Sequence, residues 1–99
     1  MKAMMSLPPD LQSPIEQATA VLKSFGADGI YLFGSFANGT ARADSDIDIA
    51  VSGLDPRHFF QAMGQMLLIL PRSLDLIDLD ENTPFTNHLK QEGQLYRVA

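Results

Sequence analysis

Asp46 and Asp48 are the residues whose spacing most clearly suggests chemistry. They belong to the segment 46–51, Asp-Ile-Asp-Ile-Ala-Val, in which charged and apolar residues alternate before an apolar end. Successive side chains of an extended strand leave by opposite faces, so both aspartates share one face and Ile47 and Ile49 share the other. With the isoleucines in a core, two like charges stand side by side, and something must hold them ionised. Mg²⁺ suits that task, because it takes one or two protein carboxylates together with phosphate oxygens of a substrate. An Asp-x-Asp pair is common on its own, and a solvated strand face is the alternative reading. A second feature lies upstream, where Gly34-Ser35 follows the apolar run 29–33. Glycine lets a phosphate approach the backbone, while the serine hydroxyl and exposed N–H groups donate to its oxygens. An ordinary tight turn is the alternative there. Arg42 lies between this turn and the aspartate pair; it is placed for a triphosphate contact or, equally, for a solvated loop position.

These residues need elements to hold them. Ser13-Pro14-Ile15-Glu16 reads as a capping box that opens a helix, with Ile15, Ala18, Leu22 and Phe25 at helical spacing and Gly26 as its stop. The run 29–33 reads as a buried strand, 34–44 as a loop or short helical turn, and 46–51 as a half-buried strand. Asp55-Pro56 opens a second helix whose expected apolar face is Phe59, Phe60, Met63, Met66, Leu67 and Leu70, ended by Pro71. The methionine and aromatic stripe reads as core packing and not as a cofactor box. A third strand over 74–79, a short helix from Pro84 to about Glu92 stopped by Gly93, and a last edge strand within 95–98 complete the order. The pattern predicts an α/β (α+β) domain with one mixed sheet of about four strands, helices mainly on one face and the other face partly open. His58 and His88 have no partner at metal-ligand spacing and read as surface or interface histidines.

The chain has 99 residues, which suits a single domain spanning 1–99 with residues 1–12 as a loosely ordered N-terminal segment. A core of this size is marginal, so a partner or self-association is expected to help it. The absence of cysteine excludes disulfides and thiolate metal sites. Residues 1–10 resemble neither a signal peptide nor a membrane anchor, and the longest apolar stretch, 66–70, is too short to span a bilayer. A cytoplasmic location without membrane contact is the expectation. Net charge is −5, and the seven Lys and Arg are scattered. A basic stripe, the usual mark of a protein that grips long nucleic acid, is absent, whereas a single nucleotide remains compatible.

Gly34-Ser35, ten intervening residues and then Asp46-Ile47-Asp48 resemble the signature of the DNA polymerase β-like nucleotidyltransferase superfamily. The fuller run GSFANGTARADSDIDIAV is similar to the minimal nucleotidyltransferase branch, whose members are small and often encoded beside a HEPN-domain protein. The likeness covers roughly residues 30–79, and the ending EGQLYRV is similar to the family's usual close. Asn38 departs from the pattern, standing where many relatives carry a basic residue, so the phosphate contact of such a side chain is not carried over. The family uses a third carboxylate from a neighbouring strand, for which Asp75, Asp78 and Asp80 are candidates. If Asp75 faces the metals, Leu74 and Leu76 join the core; if Asp78 does, Asp75 points into the apolar layer, where an unpaired carboxylate is costly. Asp75 also matches the family's apolar-Asp-apolar strand and is the choice.

By this resemblance, Asp46, Asp48 and Asp75 are the catalytic and metal-binding residues for two Mg²⁺ ions. Gly34, Ser35, Arg42 and Ser45 are the expected nucleotide contacts, with ATP as substrate. Larger relatives carry an extra acceptor-binding domain that 99 residues leave no room for, so the acceptor is expected on another polypeptide. The resemblance implies a HEPN-type toxin as that partner and an antitoxin that adenylylates it on a hydroxyl side chain. A binding-only antitoxin and a small-molecule transferase resembling aminoglycoside-modifying enzymes are the alternatives. A homo-oligomer is compatible with either.

Overall fold

The computed structural model describes residues 9–35, 45–92 and 95–98. Helix α1 (Pro9–Ser24) is followed by strand β1 (Gly29–Leu32) and strand β2 (Ile47–Ser52). Helix α2 (Pro56–Ile69), strand β3 (Leu74–Asp78), helix α3 (Pro84–Gln91) and strand β4 (Tyr96–Arg97) complete the order. The four strands form one mixed sheet in the order β3-β2-β1-β4. β1 runs antiparallel to both β2 and β4, while β2 and β3 are parallel. Parallel neighbours need a crossover, and α2 supplies it.

Alternation along the strands divides the sheet into two unequal faces. Ile30, Leu32, Ile47, Ile49, Val51, Leu74 and Leu76 pack with α1 and α2 in the main core. Phe33, Ala50 and Leu79 meet Leu89 of α3 in a smaller cluster, with Tyr31 and Ile77 beside them. Among the described residues, two helices thus cover one face and α3 covers part of the other.

Two elements differ from the sequence reading. α1 begins at Pro9 and not at Ser13, so Pro14 lies inside the helix, and Ser13 Oγ accepts from Gln17 Nε2 at 3.2 Å in place of capping. Leu11 explains the earlier start: it is fully buried and extends the stripe Ile15, Ala18, Leu22 by one turn. Burying a leucine is worth about 1.5–3 kcal/mol, comparable to the roughly 3 kcal/mol a proline costs inside a helix. Residues 9–12 are therefore helical and not loosely ordered; the rest of the expected N-terminal segment, 1–8, lies outside the described residues.

In α2 the buried stripe centres on Ala62 and Met66, with Phe59 and Met63 at its flanks. Phe60 is 75% exposed and Leu67 53% exposed, contrary to the expected apolar face. Both sit a third of a turn or more from the midline of Ala62 and Met66 at 100° per residue, so they point off the sheet. The helix start agrees with the sequence: Asp55 is the N-cap, accepting from the Arg57 N–H at 2.9 Å. α3 has a capping box that the sequence reading missed, in which Thr83 and Thr86 exchange bonds at 3.1 Å.

Candidate active site

The site is built where the C-terminal end of β1 meets the N-terminal ends of β2 and β3. Asp48 sits in β2 between Ile47 and Ile49, whose burial in the main core turns Asp48 to the partly open face. Its register partner in parallel β3 is Asp75, flanked in the same way by Leu74 and Leu76. Asp46 precedes β2 and is exposed. The two strands thus bring side by side two carboxylates that are 27 positions apart in sequence.

Electrostatics follow from this geometry. The Asp48 carboxyl is pushed up from 3.8 to about 6, first by partial burial and then by the charges of Asp75 and Asp46. The charges of Asp75 and Asp46 that act on it are both negative, so a cation at this point relieves a repulsion between neighbouring carboxylates. That chemistry fits a hard divalent ion with oxygen ligands. Among the described residues, no three acidic or histidine side chains stand at ligand-set spacing, so substrate oxygens would complete any coordination sphere.

Gly34 brings the second feature to the same place. The pairing of β1 with β2 continues through the Phe33 N–H, which donates to Asp48 O at 3.1 Å. The next residue, Gly34, has φ +70°, and a Cβ there would overlap Asp48 Oδ2 and come within 3.1 Å of Asp48 Cγ. Only glycine combines that backbone with that approach. The sequence reading gave Gly34 to phosphate alone; its packing against Asp48 depends on strand register, which no local pattern reveals. Ser35 and Ser45 are half-buried. Arg42 and Asn38, with the rest of 36–44, lie outside the described residues.

The rejected candidates have structural work of their own. Asp78 pairs in register with Val51, three positions along β3 from Asp75. Its carboxylate accepts the Asp80 N–H at 2.9 Å, and Asp80 in turn accepts the Gly53 N–H at 2.7 Å. His58 packs at 5.5 Å from the Phe25 ring, and His88 is exposed on α3. An aromatic pair absent from the sequence reading borders the site. Phe33 stands beside Asp48 across the strand pair and meets the Phe85 ring edge-on at 6.0 Å.

An open mixed sheet with aspartates on adjoining strands beside a Gly-Ser turn defines a nucleotidyltransferase domain. The polymerase beta nucleotidyltransferase family matches residues 16–96, and the chain belongs to that family. Among solved structures it is similar to a toxin–antitoxin determined with AMP-PNP, at 28% identity and TM-score 0.64, covering 86% of this chain and 69% of that one. A mutant of the MntA–HpeT toxin–antitoxin is 27% identical with TM-score 0.65, covering 86% and 71% of the two chains. A minimal nucleotidyltransferase shares the fold at 20% identity and TM-score 0.69, covering 91% and 92%. No curated protein matches the sequence significantly. Among the described residues, no helix is long and apolar enough to cross a membrane.

Proposed function

We propose that this nucleotidyltransferase moves AMP from ATP onto a hydroxyl side chain of a partner protein, a HEPN-type toxin, and so acts as its antitoxin. The observation that carries the reading is the register pairing of Asp48 with Asp75 beside the Gly34–Ser35 turn. Asp46 and Asp48 would hold Mg²⁺, with Asp75 sharing one of two ions. When bound, the ions supply charge neutralisation at the α-phosphate and the departing pyrophosphate. Asp75, exposed at the edge of the group, orients the acceptor hydroxyl and takes its proton. The Gly34 and Ser35 N–H groups, the Ser35 and Ser45 hydroxyls and Arg42 hold the triphosphate.

Two further observations support the partner and the nucleotide. The structures to which the chain is similar include toxin–antitoxin pairs, one of them solved with an ATP analogue. The net charge of −5 disfavours long nucleic acid as the acceptor, since it repels phosphate at any distance that salt leaves unscreened.

The test offers labelled ATP and Mg²⁺ together with either RNA oligonucleotides or the protein encoded beside this one. Label is expected on the protein, abolished by Asp46→Asn with Asp48→Asn and by Asp75→Asn, and largely retained by Asp78→Asn. Label on RNA alone would overturn the acceptor. A neutralised toxin that carries no label, with the double variant as effective as the wild type, would leave only binding.

A further inference from the structure

We infer that the outer face of α2 is a self-association surface, on which a second copy of this chain packs its own α2 antiparallel, crossing at Gly64. Phe60, Gly64, Leu67 and Leu68 lie together on that face at helical spacing. Phe60 is 75% exposed, Leu67 53% and Leu68 88%. Large apolar side chains grouped in this way mark an interaction surface, whereas single ones do not. Gly64 sits in their midst, with open space where a Cβ would stand, so another helix can come close to the backbone there.

Charge and position identify the occupant. From Phe59 to Leu70 the sequence has no ionisable residue, and the arginines that flank it, Arg57 and Arg72, are held by Asp55 at 2.8 Å and Asp10 at 3.4 Å. Two copies of a chain with net charge −5 repel each other over most of their surface. They meet at least cost on a face without carboxylates. Two copies would repel most strongly across the other side of the sheet, where Asp46, Asp48 and Asp75 gather.

A protein that presents an acceptor hydroxyl must also arrive on that carboxylate side. α2 packs on the opposite side, so its outer surface is turned away from the reaction. Pairing through α2 leaves both carboxylate sites open and directed outward. This step alone draws on the transferase reading; the readout below does not involve transfer.

In an isologous antiparallel pair crossing at Gly64, residues four before and four after the crossing face each other, which sets Phe60 of one copy against Leu68 of the other. Light scattering on the eluting wild-type chain, over a range of concentrations, is expected to give the mass of two copies. Leu68→Glu should halve that mass while circular dichroism stays that of the folded wild type, because the position is exposed, and the melting temperature should lose its dependence on concentration as the stabilisation by pairing is lost. Adding Phe60→Lys to Leu68→Glu should restore the dimer, since each new lysine then faces the partner's glutamate.

A wild type that is monomeric at every concentration would overturn the inference, as would a dimer indifferent to Leu68→Glu. A double variant that stays monomeric overturns the antiparallel register, and the proposal with it. A monomeric wild type whose binding to a different protein is lost in Leu68→Glu would assign the face to that protein and also overturn self-association. Loss of nucleotide transfer with the dimer intact would instead count against the transferase reading alone.

Discussion

At Asp48 the carboxyl is pushed up to about 6 because β2 half-buries it and because Asp75 and Asp46 stand near. The sign of the consequence is set by linkage. Between its ordinary value of 3.8 and about 6, the folded chain binds a proton that the unfolded chain has released. Stability contributed by this group therefore falls as pH rises through that window and stays low above it. Taken in full, a shift of this size corresponds to roughly 3 kcal/mol. Solvent reaching a half-open carboxylate reduces it to about 1 kcal/mol. Asp48→Asn is thus expected to melt several degrees above the wild type at neutral pH and level with it below the ordinary carboxylate range, while losing transfer. Mg²⁺ should raise the melting temperature of the wild type and not that of the variant. A variant less stable than the wild type at neutral pH, with its fold intact, would mean that the charge at position 48 is compensated without a metal. The side by which Asp48 leaves the sheet was legible in the sequence, because the strand period is two and Ile47 and Ile49 state which side is inside. The packing of Gly34 on Asp48 was not legible, since it follows from the register in which β1 and β2 pair.

At the scale of elements, local signals succeeded where one force acted and failed where two competed. Asp55-Pro56 opens α2 as its residue types require, and Gly26 follows the end of α1 with φ +97°. The start of α1 lies earlier than the sequence suggests because Ser13-Pro14 is a strong local start signal, whereas the burial of Leu11 is a tertiary gain that no capping pattern contains. The same holds for α2: a helix with apolar residues nearly all round does not state which stripe the sheet will take, and the buried stripe is that of Ala62 and Met66. α1 therefore carries a local defect at Pro14, which donates no bond to Asp10 O and crowds that carbonyl. Pro14→Ala restores both, and the loss of proline's restraint on the unfolded chain takes back about 0.4–1 kcal/mol. A net gain of about 2 kcal/mol is expected, visible as a higher urea midpoint at unchanged slope. A lower midpoint would mean that the Pro14 ring packs in a way the backbone argument overlooks.

The whole molecule sets the paired carboxylates Asp48 and Asp75 on one side of a single sheet and most of its stabilising core on the other. Leu11, Leu22, Ile47 and Met66 are fully buried in the layer between the sheet and α1 with α2, while Asp48 and Asp75 leave by the opposite face. A domain of this size has a total stability of about 5–15 kcal/mol, so one large cavity in that layer is a serious fraction of it. Leu11→Ala is expected to cost about 2–5 kcal/mol, the usual range for a fully buried leucine. Nucleotide with Mg²⁺ at a hundredfold excess over its Kd adds about 2.7 kcal/mol to any form that binds it. Because the cavity and the carboxylates lie on opposite faces, the two effects should add. The increment from nucleotide, measured by thermal or urea unfolding, should be the same in Leu11→Ala as in the wild type to within about 0.5 kcal/mol. A much smaller increment in the variant would show that the helical layer positions Asp48 through β2, and that core and site form one cooperative unit. Equal increments would show that the sheet alone holds the carboxylates in register, with α1 and α2 serving only to keep the sheet folded.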